Sequence, residues 1–411
     1  MIDSSPVITG IGVVAPNGIG KENFWKALDE GKSGIGEISL FPTDDFSVKV
    51  AGEVKNFDPA AIVGPKGLRN LDRSALFLVC ASKLCLDDAR LSIDNSNTDD
   101  TGICTGTTFS HLWSILEFDR EVFTEGIDFA SPALFPSTVI NAASSQVSIR
   151  FNIQGFNTTV STGYTSGIEA LKYSILALET GKAKTVLSAA VDTLSYPLFF
   201  GFHKLGYMAG IKGEPISCPF DKRRNGPVLG EAAAVLCIED EKRARDRNVP
   251  IFARIKSVAC CYDAAKMGKI KPGGDGLEKA IRQVLDEAHV APQDVDYISA
   301  CANSAQDFDR IEAKVLQNVF GNHMSHIPVS SIKSMIGETF SPASTLQIIS
   351  SIGAMNSGRI PPTINFSGND SDCLIDCVPN AAREKKVNKA LITSFGPGGH
   401  NSACLIEKYI P

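Results

Sequence analysis

The sequence predicts an α/β fold in which strands alternate with helices and the same order of elements occurs twice. Apolar segments of strand length, such as residues 102–106 and 185–191, are separated by segments in which apolar residues recur at helical spacing. From Ile251 onward the pattern begins again in the same order. We therefore expect a parallel, doubly wound sheet in a duplicated chain, with halves at residues 1–250 and 251–411.

The individual elements follow from the apolar periodicity and from the residues that interrupt it. In the first half we expect strands at residues 6–14, 102–106, 158–162 and 185–191, and helices at 22–31, 73–89 and 168–180. In the second half we expect strands at 251–258, 297–301 and 329–331, helices at 276–288, 311–320 and 343–355, and two closing strands within 390–406. Gly10 and Gly12 have the spacing of a dinucleotide fingerprint, but Pro16 follows where its helix should begin, so we interpret them as parts of a tight strand and turn.

Composition and charge exclude several classes of function. A net charge of −6 and a pI near 5.6 argue against nucleic-acid binding, which needs a concentrated basic surface. The N-terminus lacks a basic region followed by an apolar one, and no apolar run reaches the length of a membrane span, so we expect a cytoplasmic protein. The 11 cysteines are expected to be reduced and mostly buried, and neither their spacing nor the six histidines predict a metal site.

One strand-to-helix turn is the strongest candidate for a functional site. Residues 157–168 predict a buried strand, a tight turn at Tyr164 and the start of a long helix. A side chain at such a turn lies over the free N–H groups of the helix N-terminus, which favour developing negative charge. Enzymes commonly place a nucleophile at this kind of position.

The turn resembles the nucleophile turn of the β-ketoacyl-acyl-carrier-protein synthases. The family pattern is Thr-Ala-Cys-Ser-Ser-Gly, and residues 162–167 read Thr-Gly-Tyr-Thr-Ser-Gly. Segments similar to other motifs of the family follow in the family's order along nearly the whole chain, at residues 9–16, 219–221, 230–232, 309–312, 330–337 and 360–365. The resemblance implies a thiolase-like fold, in which two similar halves form αβαβα layers.

The positions that carry the family's chemistry are replaced in this chain. An active ketosynthase uses a cysteine thiolate to accept an acyl chain and two imidazoles to stabilise the enolate of the malonyl extender. Here the nucleophile position holds Tyr164, and the two histidine positions hold Cys301 and Glu338. A phenol with a reference pKa of about 10 is a poor substitute for a thiolate, and a carboxylate opposes the malonyl carboxylate. We interpret Tyr164 as an aromatic plug in a degenerate catalytic site.

Other family residues survive around these positions. Lys333 and Glu312 match a lysine and a glutamate of the active family, and we expect them to form a structural ion pair. The glycine-rich closing loop is similar to the family's Gly-Phe-Gly-Gly-Thr-Asn, with Pro397 in place of a gating phenylalanine. Cys301 is interpreted as a small buried residue, and the alternative is a relocated thiol nucleophile with His400 as its base.

Three replacements on an otherwise intact scaffold resemble the chain length factors of type II polyketide synthases, which are inactive homologues that pair with an active ketosynthase. Residues 116–123 of this chain are similar to their tunnel helix. The resemblance implies that this helix lines the partner's acyl tunnel with Leu116, Phe118, Asp119 and Phe123. Ordinary helix packing is the alternative for these residues. Glutamine is usual at the nucleophile position of this subgroup, so the tyrosine indicates a divergent member.

Two functions of different class follow from the resemblance. The first is a non-catalytic subunit that forms a heterodimer with an active ketosynthase, shapes its acyl tunnel and meets the acyl carrier protein through the complex. The second is an active acyltransferase or decarboxylase of the same family with an altered site. Neither implies a cofactor or a metal. Because dimers of the family extend their sheets through one edge strand, we expect the partner to bind along residues 158–162.

Overall fold

The computed structural model describes residues 6–264, 266 and 268–411 and contains the predicted alternation of strands and helices. The strands of the first half are β1 Pro6–Ala15, β2 Gly18–Ile19, β3 Gly36–Glu37, β4 Val50–Ala51, β5 Thr101–Gly106, β6 Asn157–Val160, β7 Thr185–Asp192 and β8 Ala232–Asp240. The helices of the first half are α1 Lys21–Asp29, α2 Pro59–Val63, α3 Arg73–Asp88, α4 Leu112–Glu125, α5 Ala142–Phe151, α6 Ser166–Glu179, α7 Tyr196–Lys204 and α8 Glu241–Asp246.

The second half follows the same alternation. Its strands are β9 Ala253–Tyr262, β10 Tyr297–Ser299, β11 Val329–Ser330, β12 Arg359–Ile360, β13 Arg383–Glu384, β14 Lys389–Phe395 and β15 His400–Lys408. Its helices are α9 Asp275–Ala288, α10 Gln306–Phe320, α11 Lys333–Ile336 and α12 Ser341–Ser357. Residues 1–5, on which the expectation of no signal peptide rests, lie outside the described residues. None of the helices in the described ranges combines the length and the apolar character that a membrane span requires.

The strand order repeats between the two halves. Eleven strands of the described residues form one sheet in the order β11-β10-β14-β15-β9-β1-β8-β7-β5-β6, with β2 paired to β1. Going outward from the central β1/β9 pairing, each half has two antiparallel pairings followed by two parallel ones. Order and direction therefore agree between the halves, as a duplication requires.

The expectation of a parallel sheet is wrong for part of each half. β14 and β15 are separated by the four residues 396–399, and a parallel connection needs a dozen or more residues to cross over, so these strands form an antiparallel hairpin. In the first half, β8 is antiparallel to both of its neighbours. The sequence pattern does not predict β8, because this strand follows a long segment without regular periodicity.

The helices arrange the sheet halves into five layers. α3 packs on β1 and β8 at one outer face, and α9 packs on β9 and β15 at the other. Between the two sheet halves lie α6 and α12, which contact strands of both. This is the αβαβα arrangement that was expected. Both central helices begin beside the turn that contains Tyr164, so the layers bring the candidate site to the centre of the molecule.

Gly10 and Gly12 of β1 allow α3 to pack closely against this strand. A Cβ atom at Gly12 would lie 1.8 Å from the carbonyl oxygen of Ala81, and one at Gly10 would lie 2.5 Å from the carbonyl oxygen of Cys85. Both contacts are with the backbone of α3, which cannot move away without separating the helix from the sheet. The fingerprint-like spacing is thus explained by helix–sheet packing.

Candidate functional site

The backbone around residue 164 forms the strand-to-helix turn that the sequence predicts. β6 ends at Val160, a short 3-10 turn spans Gly163–Thr165, and α6 starts immediately after it. Gly163 has a φ of +69°, a conformation that glycine adopts without steric cost. The Ser166 hydroxyl donates to the carbonyl of Gly163 (2.6 Å) and accepts from the N–H of Thr162 (2.9 Å). This local network holds the side chain of Tyr164 over the N-terminus of α6.

Tyr164 is buried among aromatic rings. Its side chain is only 6% exposed, and its ring centre lies 5.3 Å from that of Phe340 and 6.3 Å from that of Phe308. A Cβ atom at Gly396 would lie 2.8 Å from Cγ of Tyr164, so the closing loop leaves room for the ring only because residue 396 is glycine. The hydroxyl finds no hydrogen-bond partner among the described residues. Burial raises the pKa of Tyr164 well above its ordinary value, so the phenol is neutral.

The two other replaced positions share one lysine. Nζ of Lys333 lies 2.7 Å from Oε2 of Glu338 and 3.3 Å from Sγ of Cys301. Asn303 donates to the same carboxylate oxygen (2.8 Å), and the N–H of Phe340 donates to its other oxygen, Oε1 (3.0 Å). All five side chains are buried. Burial by itself lowers the pKa of Lys333, but Cys301 and Glu338 outweigh it, so the pKa is raised and the lysine is a cation.

The predicted ion pair between Lys333 and Glu312 is wrong, because Lys333 pairs with Glu338. Glu312 on α10 instead accepts from the N–H of Cys301 (2.9 Å) and from the hydroxyl of Thr393. Its other oxygen has no hydrogen-bond partner within the described ranges. Burial, opposed by the bond from Thr393, raises the pKa of Glu312 to about 7. Glu338 reaches the lysine because it lies only five residues further along the same segment.

Cys301 is not placed as a nucleophile. Burial raises the pKa of its thiol to about 12, even though Lys333 lowers it. The expected alternative base, His400, has its Nδ1 3.6 Å from Oε1 of Glu169 and packs its ring against Tyr262. The structure therefore pairs His400 with Glu169 instead of Cys301. A thiol that remains protonated and lacks an imidazole base has little nucleophilic reactivity.

Pro397 lines an open cavity. The cavity has a volume of about 410 Å³, and Tyr207 and Phe308 also line it. The ring of Phe308 stacks on Phe395 at 4.0 Å between ring centres, and its centre lies 6.3 Å from that of Tyr164. Phe308 thus connects the lining of this cavity with the aromatic residues around Tyr164. Sequence reasoning missed Phe308, which lies just before the acidic motif at residues 309–312.

The helix predicted to line a tunnel exists as α4, in which Leu116, Asp119 and Phe123 share one face and Phe118 lies on another. Phe118 packs edge-on against Phe135, with ring centres 5.8 Å apart, and Leu116 is half-buried. Asp119 is exposed, and Phe123 is 85% exposed. Another face of α4 lines a cavity of about 550 Å³ with Trp113, Glu117 and Glu121. Sequence reasoning missed this face, although its spacing of four residues is the signal that would have found it.

The architecture and the arrangement of this site are those of a ketosynthase scaffold. The family model for the β-ketoacyl synthase N-terminal domain matches residues 4–244, and the model for the C-terminal domain matches residues 252–367. A protein named 3-oxoacyl-[acyl-carrier-protein] synthase 2 from Coxiella burnetii (strain RSA 493 / Nine Mile phase I) is 33% identical over 406 residues, which cover 98% of each chain. The chain belongs to the β-ketoacyl synthase family.

Solved structures agree with this assignment. The ishigamide ketosynthase/chain length factor matches with a TM-score of 0.93 and 28% identity, covering 99% of this chain and 100% of that chain. A type II polyketide synthase ketosynthase, solved in complex with its acyl-carrier protein, matches with a TM-score of 0.90 and 25% identity over the same shares. The ketosynthase, thiolase-like fold that the sequence predicts is therefore confirmed.

The shifted pKa of Glu312 predicts a specific pH dependence of stability. A carboxyl whose pKa rises from 4.5 to about 7 on folding binds its proton more tightly in the folded state. It therefore contributes stability that is complete below pH 4.5 and is lost as the pH rises through 7. We expect the free energy of unfolding of Glu312→Gln, which mimics the protonated form, to gain roughly 2 to 3 kcal/mol relative to wild type between pH 5 and pH 8.

Urea unfolding at both pH values measures this difference, with the exposed Glu37→Gln as a control. A difference between Glu312→Gln and wild type that does not change with pH would show that Glu312 titrates normally.

Restoring the nucleophile alone is not expected to restore condensation. In Tyr164→Cys the new thiol still lacks both imidazoles, because Cys301 remains a neutral thiol and Glu338 still binds Lys333. Intact-protein mass spectrometry after incubation with an acylated carrier protein and a malonyl extender would detect acylation and elongation. An active ketosynthase is the positive control. Elongation of a labelled acyl chain by this single variant would contradict the prediction.

Proposed function

We propose that this chain is a non-catalytic ketosynthase homologue that acts as a chain length factor in type II polyketide biosynthesis. It would form a heterodimer with an active ketosynthase and shape the acyl tunnel of that partner. The observation that carries the proposal is the buried cluster of Lys333, Glu338 and Cys301 under the ring of Tyr164. A site in which the cation is already paired and the thiol is protonated has no group free to activate an acyl thioester.

The open edge of the sheet supports a partner. β6 lies at the end of the described sheet and is paired there with β5. It covers Asn157–Val160, slightly less than the expected segment at residues 158–162. Backbone groups along an open edge readily pair with another chain, and proteins seldom leave such an edge uncovered. A ketosynthase with the same fold presents a matching edge strand.

An exposed apolar surface lies next to this edge. α5 is joined to β6 by the amide of Asn157, which donates to the Ser148 hydroxyl at 2.7 Å. Large apolar side chains are exposed on α5, at the end of α4 and between the two helices. We call these residues the apolar edge surface: Phe123 (85%), Ile127 (81%), Phe129 (78%), Phe135 (58%), Val139 (44%) and Ile149 (74%). Six exposed large apolar side chains within residues 123–149 support a site of protein association in this part of the chain.

The tunnel role rests on α4. Its C-terminal end contributes Phe123 to the apolar edge surface, so this side chain is available to a partner. Trp113, Glu117 and Glu121 on another face line the cavity of about 550 Å³ within this chain. A helix that combines a cavity on one side with a partner surface at its end is suited to bounding a tunnel shared by two subunits. The names of the solved structures, which include a ketosynthase/chain length factor and a complex with an acyl-carrier protein, support this choice.

The proposal also covers the halves of the chain, cofactors, the carrier protein and the location. The halves of the scaffold are residues 1–250 and 251–411, no cofactor or metal takes part, and the acyl carrier protein is met through the complex. A cytoplasmic location suits a chain that works with soluble carrier proteins. The competing function is an acyltransferase or decarboxylase with an altered active site, and the name of the Coxiella burnetii relative is that of an active synthase.

Co-expression with an active ketosynthase tests the proposal. Alone, the chain is expected to self-associate or to be poorly soluble, because the apolar edge surface and β6 are uncovered. With the ketosynthase it should form a stable heterodimer by light scattering, and Ile149→Asp should weaken that dimer at least tenfold. Ile410→Asp is the matched control, since Ile410 is 66% exposed at the C-terminal end, outside the apolar edge surface. A well-behaved monomer, or a homodimer that takes up acyl groups from carrier protein, would favour the competing function.

The chain-length role predicts opposite effects at two positions of α4. Removing the ring in Phe123→Ala should let the complex make a longer product, and the larger side chain in Leu116→Phe should shorten it. The reason is steric, because each two-carbon unit needs new volume and close-packed interiors tolerate little overlap. Product length is measured by mass spectrometry in a reconstituted system, with heterodimer formation verified for both variants. Leu374→Ala, an exposed site in the other half, is the control. Wild-type product length in both variants would assign α4 to packing alone.

A further inference from the structure

Phe340 occupies the centre of an aromatic cluster that extends from the former nucleophile position. Its ring centre lies 5.3 Å from that of Tyr164, 4.9 Å from that of Phe109 and 5.4 Å from that of Phe202. We call these four residues the aromatic row. Phe340 is fully buried, whereas Phe109 and Phe202 are half-buried, so the row runs from the core toward the surface.

The row ends at the helix that is proposed to bound the tunnel. Phe109 precedes the first residue of α4, Leu112, and the N–H of Leu112 donates to the carbonyl of Phe109 (3.2 Å). Phe202 lies on α7, which packs against α4. The aromatic row therefore fills the space between the turn at residue 164 and the N-terminal end of α4. Four rings occupy a route along which an acyl chain attached at the turn would extend toward this helix.

The backbone of Phe340 is strained. Its φ is +58° and its ψ is −118°, a region that glycine enters freely and that a bulky side chain rarely adopts. Strain of this kind persists only where the surroundings impose it. The N–H of Phe340 donates to Oε1 of Glu338 (3.0 Å), and the N–H of Ser341 donates to Oδ2 of Asp192 (3.0 Å).

The same anchors tie the two ends of the row together. Asp192, which fixes the residue after Phe340, also accepts from the N–H of Phe109 at 2.6 Å. Glu338, which fixes Phe340 itself, is the carboxylate that binds Lys333. Two buried carboxylates thus hold two rings of the row in place. A position whose backbone favours glycine carries a phenyl ring instead, and this ring fills the middle of the row.

From these observations we propose that Phe340 is the residue that seals this subunit's own acyl site and so determines that it does not accept an acyl chain. The proposal rests on the proposed function, because it takes the route toward α4 to be the path of an acyl chain. Tyr164 removes the nucleophile, and Phe340 separately removes the space. The acyl chain is then left to the partner subunit.

Thiol labelling in the full-length chain separates these two contributions. Tyr164→Cys introduces a thiol at the turn, and two reagents compete to alkylate it: iodoacetamide, which is small, and N-hexyl iodoacetamide, which carries a linear alkyl tail. Peptide mapping by mass spectrometry follows position 164 apart from the native cysteines. In Tyr164→Cys alone we expect the hexyl reagent to react at least tenfold more slowly than iodoacetamide. Adding Phe340→Gly should reduce this ratio to near one.

The chain offers a matched control for the loss of a buried ring. Phe220 is also fully buried and also has a positive φ, +64°, but it belongs to a different segment and is not part of the aromatic row. Adding Phe220→Gly to Tyr164→Cys should leave the ratio of the two rates unchanged. A ratio that also falls to near one with Phe220→Gly would mean that general loosening admits the tail, and the proposal would be overturned. It is likewise overturned if the hexyl reagent reacts as fast as iodoacetamide in Tyr164→Cys, or if the difference survives Phe340→Gly.

Folding and pairing are verified independently. Because the backbone favours glycine at this position, Phe340→Gly should melt at a higher temperature than Phe340→Ala, and the reverse order would contradict the strained conformation. Phe340→Leu is a milder variant that retains an apolar side chain, and it should lower the rate ratio by a smaller factor if the glycine variant fails to fold. The labelling ratio is measured on this chain whether or not the ketosynthase is present. Failure of the seal is therefore distinguishable from failure of the chain to pair with a ketosynthase.

Discussion

The centre of this protein is organised by the buried ion pair of Lys333 and Glu338. A buried ammonium group requires a charged or strongly polar partner, since the cost of leaving it unpaired is several kcal/mol, on the order of 3 to 5 when one partner of such a pair is removed. Glu338 meets this requirement at 2.7 Å, and the second oxygen of the carboxylate accepts from the N–H of Phe340. Asn303 adds a third donor to the carboxylate. The bond from Asn303 to Glu338 and the contact of Lys333 with Cys301 then connect the segments that carry residues 301–303 and 333–340.

The replaced catalytic positions therefore form a connected alternative structure. Glu338 and Cys301 both contact Lys333, so each occupies a place defined by the same cation. Tyr164 covers the cluster from the turn, with Nζ of Lys333 6.0 Å from its ring centre. Changing Tyr164 alone back to the type used in active ketosynthases leaves Lys333, Glu338 and Cys301 bonded as they are. Under the proposed function, the lack of reactivity is thus a property of the whole network and is not assigned to Tyr164 alone.

Many elements of the fold could be predicted because they follow from local periodicity, although α5, α7 and β8 were missed, whereas the contacts between elements could not be predicted. The helix at α3 and the turn at Tyr164 agree with the sequence to within a few residues. The prediction of strand direction failed where direction depends on the length of the connection, as in the short loop between β14 and β15. The prediction of the partner of Lys333 failed for a similar reason. Two carboxylates lie nearby, and only the three-dimensional packing pairs Glu338 with the lysine and Glu312 with the backbone N–H of Cys301. The resemblance pointed to residues that the structure brings together, but it could not assign their bonds.

The filled centre and the uncovered sheet edge both support the proposed function. At the centre, aromatic rings and paired charges fill the positions where an active ketosynthase binds and activates its substrate. At the edge, β6 and the apolar edge surface remain uncovered, with side chains as exposed as Phe123 and Ile127. Exposed apolar area of this kind favours self-association, so a chain that retains it must gain something from contact with another surface. Under the proposed function, that contact is the route by which this scaffold acts on an acyl chain. The two observations behind the proposed function are therefore independent, one buried and one exposed, and each of them supports it.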